Sequence, residues 1–264
     1  MNKEKFLAGL DAGHINTKAI IIRGQEILGF CTVPTGFDVV AAAQNALDGA
    51  SENAGISFSE LGGIVTTGIF KDMIEIPSLG VIETVPEYMA DAKGALFLNK
   101  GSRTVIDIGG NIHKVICYDQ NGNLEDVIQN DKCADGLGIF YTTMAKALGL
   151  NEQEMSELAL KSTNNLSIAI QCALSAESDA IDLICQGRDV ADVADAILKF
   201  IVERVADMST YMSLTKEIVV AGGLAKSQAL IKHLSSLLKQ DLSVLKHPEY
   251  VGAIGAVIGN KGGK

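Results

Sequence analysis

Three short apolar runs in this chain end in residues suited to handling phosphate. Asp11 closes Phe-Leu-Ala-Gly-Leu-Asp-Ala-Gly (6–13), and Asp107 sits in Thr-Val-Ile-Asp-Ile-Gly-Gly (104–110). A carboxylate at a strand end, followed by glycine, can hold hydrated Mg²⁺ while bare backbone N–H groups approach phosphate oxygens. Two such turns facing each other would clamp a nucleotide polyphosphate, with Asp11 organising the metal and Asp107 orienting the attacking water. Gly222-Gly223 ends a third run and would let an adenosine lie flat against backbone. A Walker-type loop and a Gly-x-Ser-x-Gly elbow are both missing, which excludes a P-loop and leaves Ser/His/Asp catalysis unsupported. His14 and His113 follow the two turns, and polar residues at a cleft rim is the reading preferred over an acid–base pair.

A second set is the cysteines. Cys133 lies in Asn-Asp-Lys-Cys-Ala-Asp-Gly-Leu-Gly (130–138) and Cys172 in Gln-Cys-Ala-Leu-Ser-Ala-Glu-Ser-Asp (171–179), each shortly before a segment with helical periodicity. Thiolates at helix N-termini feel the positive end of the helix dipole. A four-iron cluster takes four thiolates, so two cysteines per chain would require two copies to meet. Spacing alone leaves the alternative of two unrelated thiols open, and composition favours it. With no Cys-x-x-Cys pair, a single-chain zinc site is not expected. Cys31, Cys117 and Cys185 fall in apolar runs and read as small buried hydrophobes.

The elements that must position these residues come in duplicate. After each Asp-x-Gly turn a second apolar strand follows, Lys18–Arg23 and Lys114–Tyr118, then a tight turn at Gly24-Gln25 or Asn121-Gly122, then a third strand. Helical patterns come next, Asp38–Asn53 in one half and Gly138–Leu148 in the other. Further helices are expected over Asn151–Lys161, Ser175–Gln186, Val190–Leu214, Ala225–Lys239 and Tyr250–Gly259, with a buried strand at Glu217–Ala221. The plan is α/β: two related lobes, 1–97 and 98–247, with the C-terminal helix of 248–264 packing back on the first and a central nucleotide cleft.

Composition narrows the class of function. The 264 residues carry a formal charge of −10 and no tryptophan, with 47% hydrophobic residues. That acidity, with basic residues scattered, argues against nucleic acid. No apolar run is long enough to span a bilayer, so no membrane partner is expected. The N-terminus does not read as a secretory signal, which makes the cytoplasm the expected location and five cysteines an unsuitable disulfide framework.

Taken together, these residues resemble the ATP-dependent activators of (R)-2-hydroxyacyl-CoA dehydratases and the ATPase subunits of benzoyl-CoA reductase, within the actin/hexokinase-like ATPase superfamily. The resemblance runs through 10–18, Thr-Thr-Gly (66–68), Ala-Lys-Gly-Ala (92–95), 105–116, 130–134, 172–179, Ala-Gly-Gly-Leu-Ala (221–225) and Gly-Ala-Ile-Gly-Ala (252–256). It implies a two-lobed actin-like fold and a [4Fe–4S] cluster shared across a homodimer or a paralogue pair, with Cys133 and Cys172 as ligands. It also implies ATP and Mg²⁺ held by Asp11, Gly13 and Lys18 in one turn and Asp107, Gly109 and Gly110 in the other, with adenosine near Gly222 and Gly223. The implied activity is ATP hydrolysis coupled to low-potential electron transfer, from reduced ferredoxin or flavodoxin to a downstream dehydratase or reductase.

The chain departs from the family pattern in several places. His14-Ile15 replace the hydroxyl residues that usually follow Asp-x-Gly, and Asn111-Ile112 replace Gln-Asp. Asp91 stands where the family has histidine, and Gly-Leu-Gly-Ile (136–139) replaces Gly-Thr-Gly-Arg. Cluster binding is therefore expected more firmly than ATP turnover. The alternatives are a degenerate nucleotide-binding scaffold or assembly subunit of such a reductase, and a cluster-free small-molecule kinase of the same superfamily.

Overall fold

Each half of the chain builds a five-stranded sheet, and the two sheets have the same strand order. The computed structural model describes residues 5–77, 79–169, 172–214 and 217–259. In the first sheet β1 (Phe6–Ala12), β2 (Asn16–Arg23) and β3 (Glu26–Pro34) run antiparallel, while β4 (Leu61–Thr67) and β5 (Val81–Thr84) continue parallel to β1. The order is β3-β2-β1-β4-β5. In the second sheet β6 (Thr104–Ile108), β7 (His113–Tyr118), β8 (Leu124–Gln129), β9 (Ile218–Ala221) and β10 (Leu242–Val244) take the order β10-β9-β6-β7-β8. Its β6–β7 pair is antiparallel, and β9 runs parallel to β6 and β10.

The chain divides into two compact units. One holds residues 1–103, 118–125 and 249–264, and the other holds 104–117 and 126–248. In the first unit the sheet is covered on both faces. Helix α1 (Val39–Ala54) starts where Asp38 accepts the Ala41 N–H at 2.9 Å and stops at left-handed Gly55, so both ends are satisfied locally. Its Ala43, Ala46 and Leu47 bury against Leu10 and Ile21. On the other face, Ile20, Ile22 and Val65 pack on Ile254 and Val257 of α8 (Val251–Gly259), beside Ala90 of α2 (Glu87–Leu98). The two helices pack closely: a side chain on Gly94 or Gly255 would overlap backbone of the facing helix.

The second unit is richer in helix. Helices α3 (Leu137–Ala147), α4 (Glu152–Ala159), α5 (Ala173–Cys185), α6 (Val190–Ser209) and α7 (Gln228–Leu238) share one core with Ile106, Ile108, Val115, Ile218 and Val220 of the sheet. Asn151 and Glu154 form a reciprocal capping box that starts α4. Among the described residues no helix is long and apolar enough to cross a membrane.

Two helices differ from expectation. Helix α6 ends at Ser209 rather than Leu214, because the Ser209 and Thr210 hydroxyls turn back onto the Val205 and Asp207 carbonyls at 2.8 and 2.6 Å. Helix α7 starts at Gln228 rather than Ala225, since Gly223–Lys226 form a separate 3₁₀ turn and Ser227 caps the helix.

Candidate functional site

In the first unit the β1–β2 register places Lys18 directly opposite Asp11. The Lys18 ammonium lies 2.9 Å from the Asp11 carboxylate, with both side chains mostly buried. The intervening turn is tight: a side chain on Gly13 would come within 2.9 Å of the Asn16 carbonyl oxygen. The Thr35 hydroxyl locks it by donating to the Gly13 carbonyl at 2.8 Å, while sharing a 2.9 Å hydrogen bond with Thr17. His14 is exposed and rests against the Phe70 ring, 5.7 Å between centroids.

The second unit repeats this construction ninety-six residues further along the chain. Lys114 stands opposite Asp107 in the β6–β7 register, their charges 3.2 Å apart. Gly109 donates to the Ile112 carbonyl at 3.1 Å and closes the turn. A side chain on Gly109 would meet that oxygen at 2.7 Å, just as one on Gly13 would meet the oxygen of Asn16. Lys114 was not among the residues singled out from the sequence, although the signal was present: each Asp-x-Gly is followed by lysine seven residues after the aspartate. Its side chain is only 5% exposed, so its role is to hold the Asp107 carboxylate rather than to meet solvent. Gly222 completes the arrangement. It has φ +87°, and a side chain there would overlap the Ile108 carbonyl oxygen and come within 2.6 Å of Asp107 Oδ1, so only glycine fits beside that carboxylate. Next to it, Gly223 faces open space.

His113 corrects the expectation of a cleft-rim residue. It is 1% exposed, and among the described residues neither ring nitrogen has a partner at hydrogen-bonding geometry. Burial pushes its imidazole down to about 4, against the smaller opposing pull of Asp107, the Ala134 backbone and Asp135. It is therefore neutral near neutrality and does not serve as an exposed acid–base group.

Cys133 lies within a 3₁₀ turn, Lys132–Ala134, that leads into α3. This segment is keyed to the Asp107 turn by backbone. Gly136 N–H donates to the Asn111 carbonyl at 3.0 Å, and Ile139 N–H to the Gly110 carbonyl at 3.1 Å. Gly138 lies so close that a side chain there would come within 2.6 Å of the Gly110 Cα. Asn130 ties the other side: it accepts the His113 N–H at 2.6 Å and donates to Asp135 at 2.7 Å. Cys172 is half-buried and forms the N-cap of α5, its carbonyl accepting from Ser175 and Ala176. Neither α3 nor α5 has a side-chain cap or an acidic residue in its first turn, so the leading N–H groups suit an anionic sulfur. Of the other cysteines only Cys117 is buried; Cys31 is half-buried and Cys185 is exposed, which corrects the expectation for those two.

Residues 8–259 match the BadF/BadG/BcrA/BcrD ATPase family. The chain belongs to this family. Among its relatives, the activator of lactoyl-CoA dehydratase from Anaerotignum propionicum is 30% identical over 254 residues, 96% of each chain. A benzoyl-CoA reductase subunit from Thauera aromatica is 31% identical over 229 residues, 84% of this chain and 79% of that one. The crystal structure of the 2-hydroxyisocaproyl-CoA dehydratase activator from Clostridium difficile with bound ADPNP superposes with a TM-score of 0.88 at 26% identity, covering 96% of this chain and 93% of that one. The α/β, actin/hexokinase-like ATPase fold expected from the sequence is the fold observed.

As a member of the BadF/BadG/BcrA/BcrD ATPases, the chain brings its sequence-predicted residues together in two local groups. Asp11, Gly13 and Lys18 come together at the β1–β2 turn, while Asp107, Gly109 and Gly110 come together at the β6–β7 turn, with Gly222, after β9, beside Asp107. Cys133 and Cys172 precede different helices of the second unit. Among the described residues, no three His, Cys, Asp or Glu side chains gather as a metal site.

Proposed function

We propose that this chain is an ATP-hydrolysing activator that delivers a low-potential electron to a CoA-thioester dehydratase or a benzoyl-CoA-type reductase. The supporting observation is the seam in the second unit, where the Asp107 turn is hydrogen-bonded through backbone to the segment carrying Cys133. Cys133 and Cys172 of two copies, or of this chain and a paralogue, would hold a [4Fe–4S] cluster. A cluster held there supplies one-electron chemistry at low potential. The first turns of α3 and α5 have no side-chain cap, and their leading N–H groups other than those of Ile139 and Ser175, which donate to Gly110 and Cys172, would face its sulfurs. Asp11 would hold hydrated Mg²⁺ and Asp107 would orient water at the nucleotide phosphates, each carboxylate held in place by its lysine. Gly222 and Gly223 leave bare backbone for the adenosine. The electron source would be reduced ferredoxin or flavodoxin.

Anaerobic purification tests this directly. A brown dimer with about four irons per two chains is expected. Cys133→Ala or Cys172→Ala should remove the colour and leave the fold intact by circular dichroism. A colourless monomer after anaerobic iron reconstitution would overturn the reading. A second reading, nucleotide binding without turnover in a scaffold subunit, is favoured by the absence of a hydroxyl at His14-Ile15, both of them exposed. Phosphate release from Mg·ATP, measured beside calorimetric ATP binding, separates the two.

A further inference from the structure

The segment carrying Cys133 closes over a buried imidazole. Residues 130–135 are pinned into a short arch, because the Asn130 side-chain amide donates to the Asp135 carboxylate at 2.7 Å and to the Asp131 carbonyl at 3.2 Å. Asn130 also grips the backbone of His113 twice. Its side-chain oxygen accepts the His113 N–H at 2.6 Å, and its own N–H donates to the His113 carbonyl at 3.2 Å. The β6–β7 register sets His113 opposite Ile108, the residue after Asp107. One residue is thus fixed between the Asp107 turn and the arch.

The ring held there has no task in the fold. It is 1% exposed, and among the described residues neither Nδ1 nor Nε2 has a partner at hydrogen-bonding geometry. The polar groups that act on it are Asp107, Asp135, Lys114 and the backbone of Ala134, the residue after Cys133. An imidazole carries at least one N–H, and a buried donor left unpaired calls for a ligand or an ordered water. Backbone donors nearby are already spent. Ala134 N–H goes to the Asp131 carbonyl at 3.1 Å, Asp135 N–H to that of Lys132 at 3.4 Å and Gly136 N–H to that of Asn111 at 3.0 Å. The imidazole N–H is the donor held in reserve.

We infer that His113 donates a hydrogen bond to the sulfur of Cys133 when that cysteine ligates the [4Fe–4S] cluster, and thereby raises the cluster's potential. The inference rests on the proposal that Cys133 is a cluster ligand. A ligating thiolate is anionic and accepts N–H donors, and a donor there favours the reduced, more negative cluster over the oxidised one. The bond forms without proton transfer, so it asks for no change in the ring's ionisation. His113 is on this account a positioning residue for the sulfur, supplied by the strand that leaves the Asp107 turn.

The test is an anaerobic redox titration of the full-length, iron-reconstituted protein, followed by electron paramagnetic resonance of the reduced cluster. His113→Leu should take up iron as the wild type does and shift the one-electron equilibrium about tenfold toward the oxidised cluster, a fall of about 59 mV in midpoint potential. His113→Gln, which restores an N–H donor, should recover about half of that shift or more. A space-filling role would leave both potentials unchanged or move them alike. Wild type labelled with ¹⁵N-histidine should also show a ¹⁵N hyperfine coupling to the reduced cluster, lost in His113→Gln although His14, His233 and His247 keep their label. An unchanged potential in His113→Leu, equal potentials in the two variants, or no ¹⁵N coupling in the wild type overturns the inference and leaves the cluster proposal standing. If His113→Leu takes up no iron, the wild-type coupling decides by its presence or absence. A wild type that takes up no iron removes the cluster proposal and this inference with it.

Discussion

Replacing His113 with methionine should change how stability depends on pH. In the folded chain the imidazole is buried, without a hydrogen-bond partner among the described residues, and burial pushes it down to about 4, against 6.5 for an ordinary histidine. Between those values the unfolded chain binds a proton that the folded chain refuses. Stability is therefore intact above pH 6.5 and falls as pH drops toward 4, the direction for a base whose folded pKa is lowered. Each pKa unit is worth about 1.4 kcal/mol, so His113 alone costs about 2–3 kcal/mol by pH ~4.5. His113→Met removes that linkage. It also removes no hydrogen bond to either ring nitrogen, so the variant should be at least as stable as wild type near pH ~7.5. Urea denaturation followed by circular dichroism, in steps from about pH 7.5 to about 4.5, gives both curves. The gap in unfolding free energy should widen by about 2–3 kcal/mol over that range. Curves that stay parallel would refute the reasoning and mean that folded His113 titrates like an ordinary histidine.

Lys114→Met should leave the Asp107 carboxylate without its ammonium; discounting a fully buried pair for the partial exposure of Asp107 gives a loss of about 2–3 kcal/mol. The double variant with Asp107→Asn should recover most of that, as read by urea denaturation. Gly222→Ala adds steric overlap to a disfavoured positive φ and should cost about 2–5 kcal/mol, measured by thermal unfolding, with loss of nucleotide binding. Donors from Ser162, Thr163 and Asn164 hold the Asp192 carboxyl well below the usual carboxylate range, with the Asn164 side chain contributing most. That stabilisation is present above the ordinary carboxylate pKa and lost as pH falls through the folded value. Asp192→Ala should deprotect the amides of Thr163 and Asn164 in hydrogen exchange.

The duplicated hairpins were legible because their signals are local: Asp-x-Gly at a strand end and a Gly- or Asn-containing turn a few residues on. The stretch from Leu61 to Leu98 was not assigned to elements. Strand β4 opens with two glycines among its first three residues, which weakens its strand signature. Helix α2 has no side-chain cap and buries the small residues Ala90, Ala92, Gly94 and Ala95, so no broad apolar stripe marks it. At the site, the aspartates, glycines and Lys18 could be read from motif, and Lys114 could have been read from the same repeat. His113's burial could not, since it depends on the Asn130–Asp135 segment closing over β7. Asp91 was visible as a departure from pattern, but its burial depends on α2 and α8 converging.

The seam between the Asp107 turn and the Cys133 segment has no slack in it. Along it, carbonyls meet amides directly, and a glycine α-carbon presses on backbone where a side chain would otherwise cushion the contact. Rotamers absorb small displacements elsewhere in a protein, but this contact has none to turn. The Gly110 backbone is therefore tied directly to the start of α3. The two segments hold one another, and a rigid turn keeps the start of α3 in place.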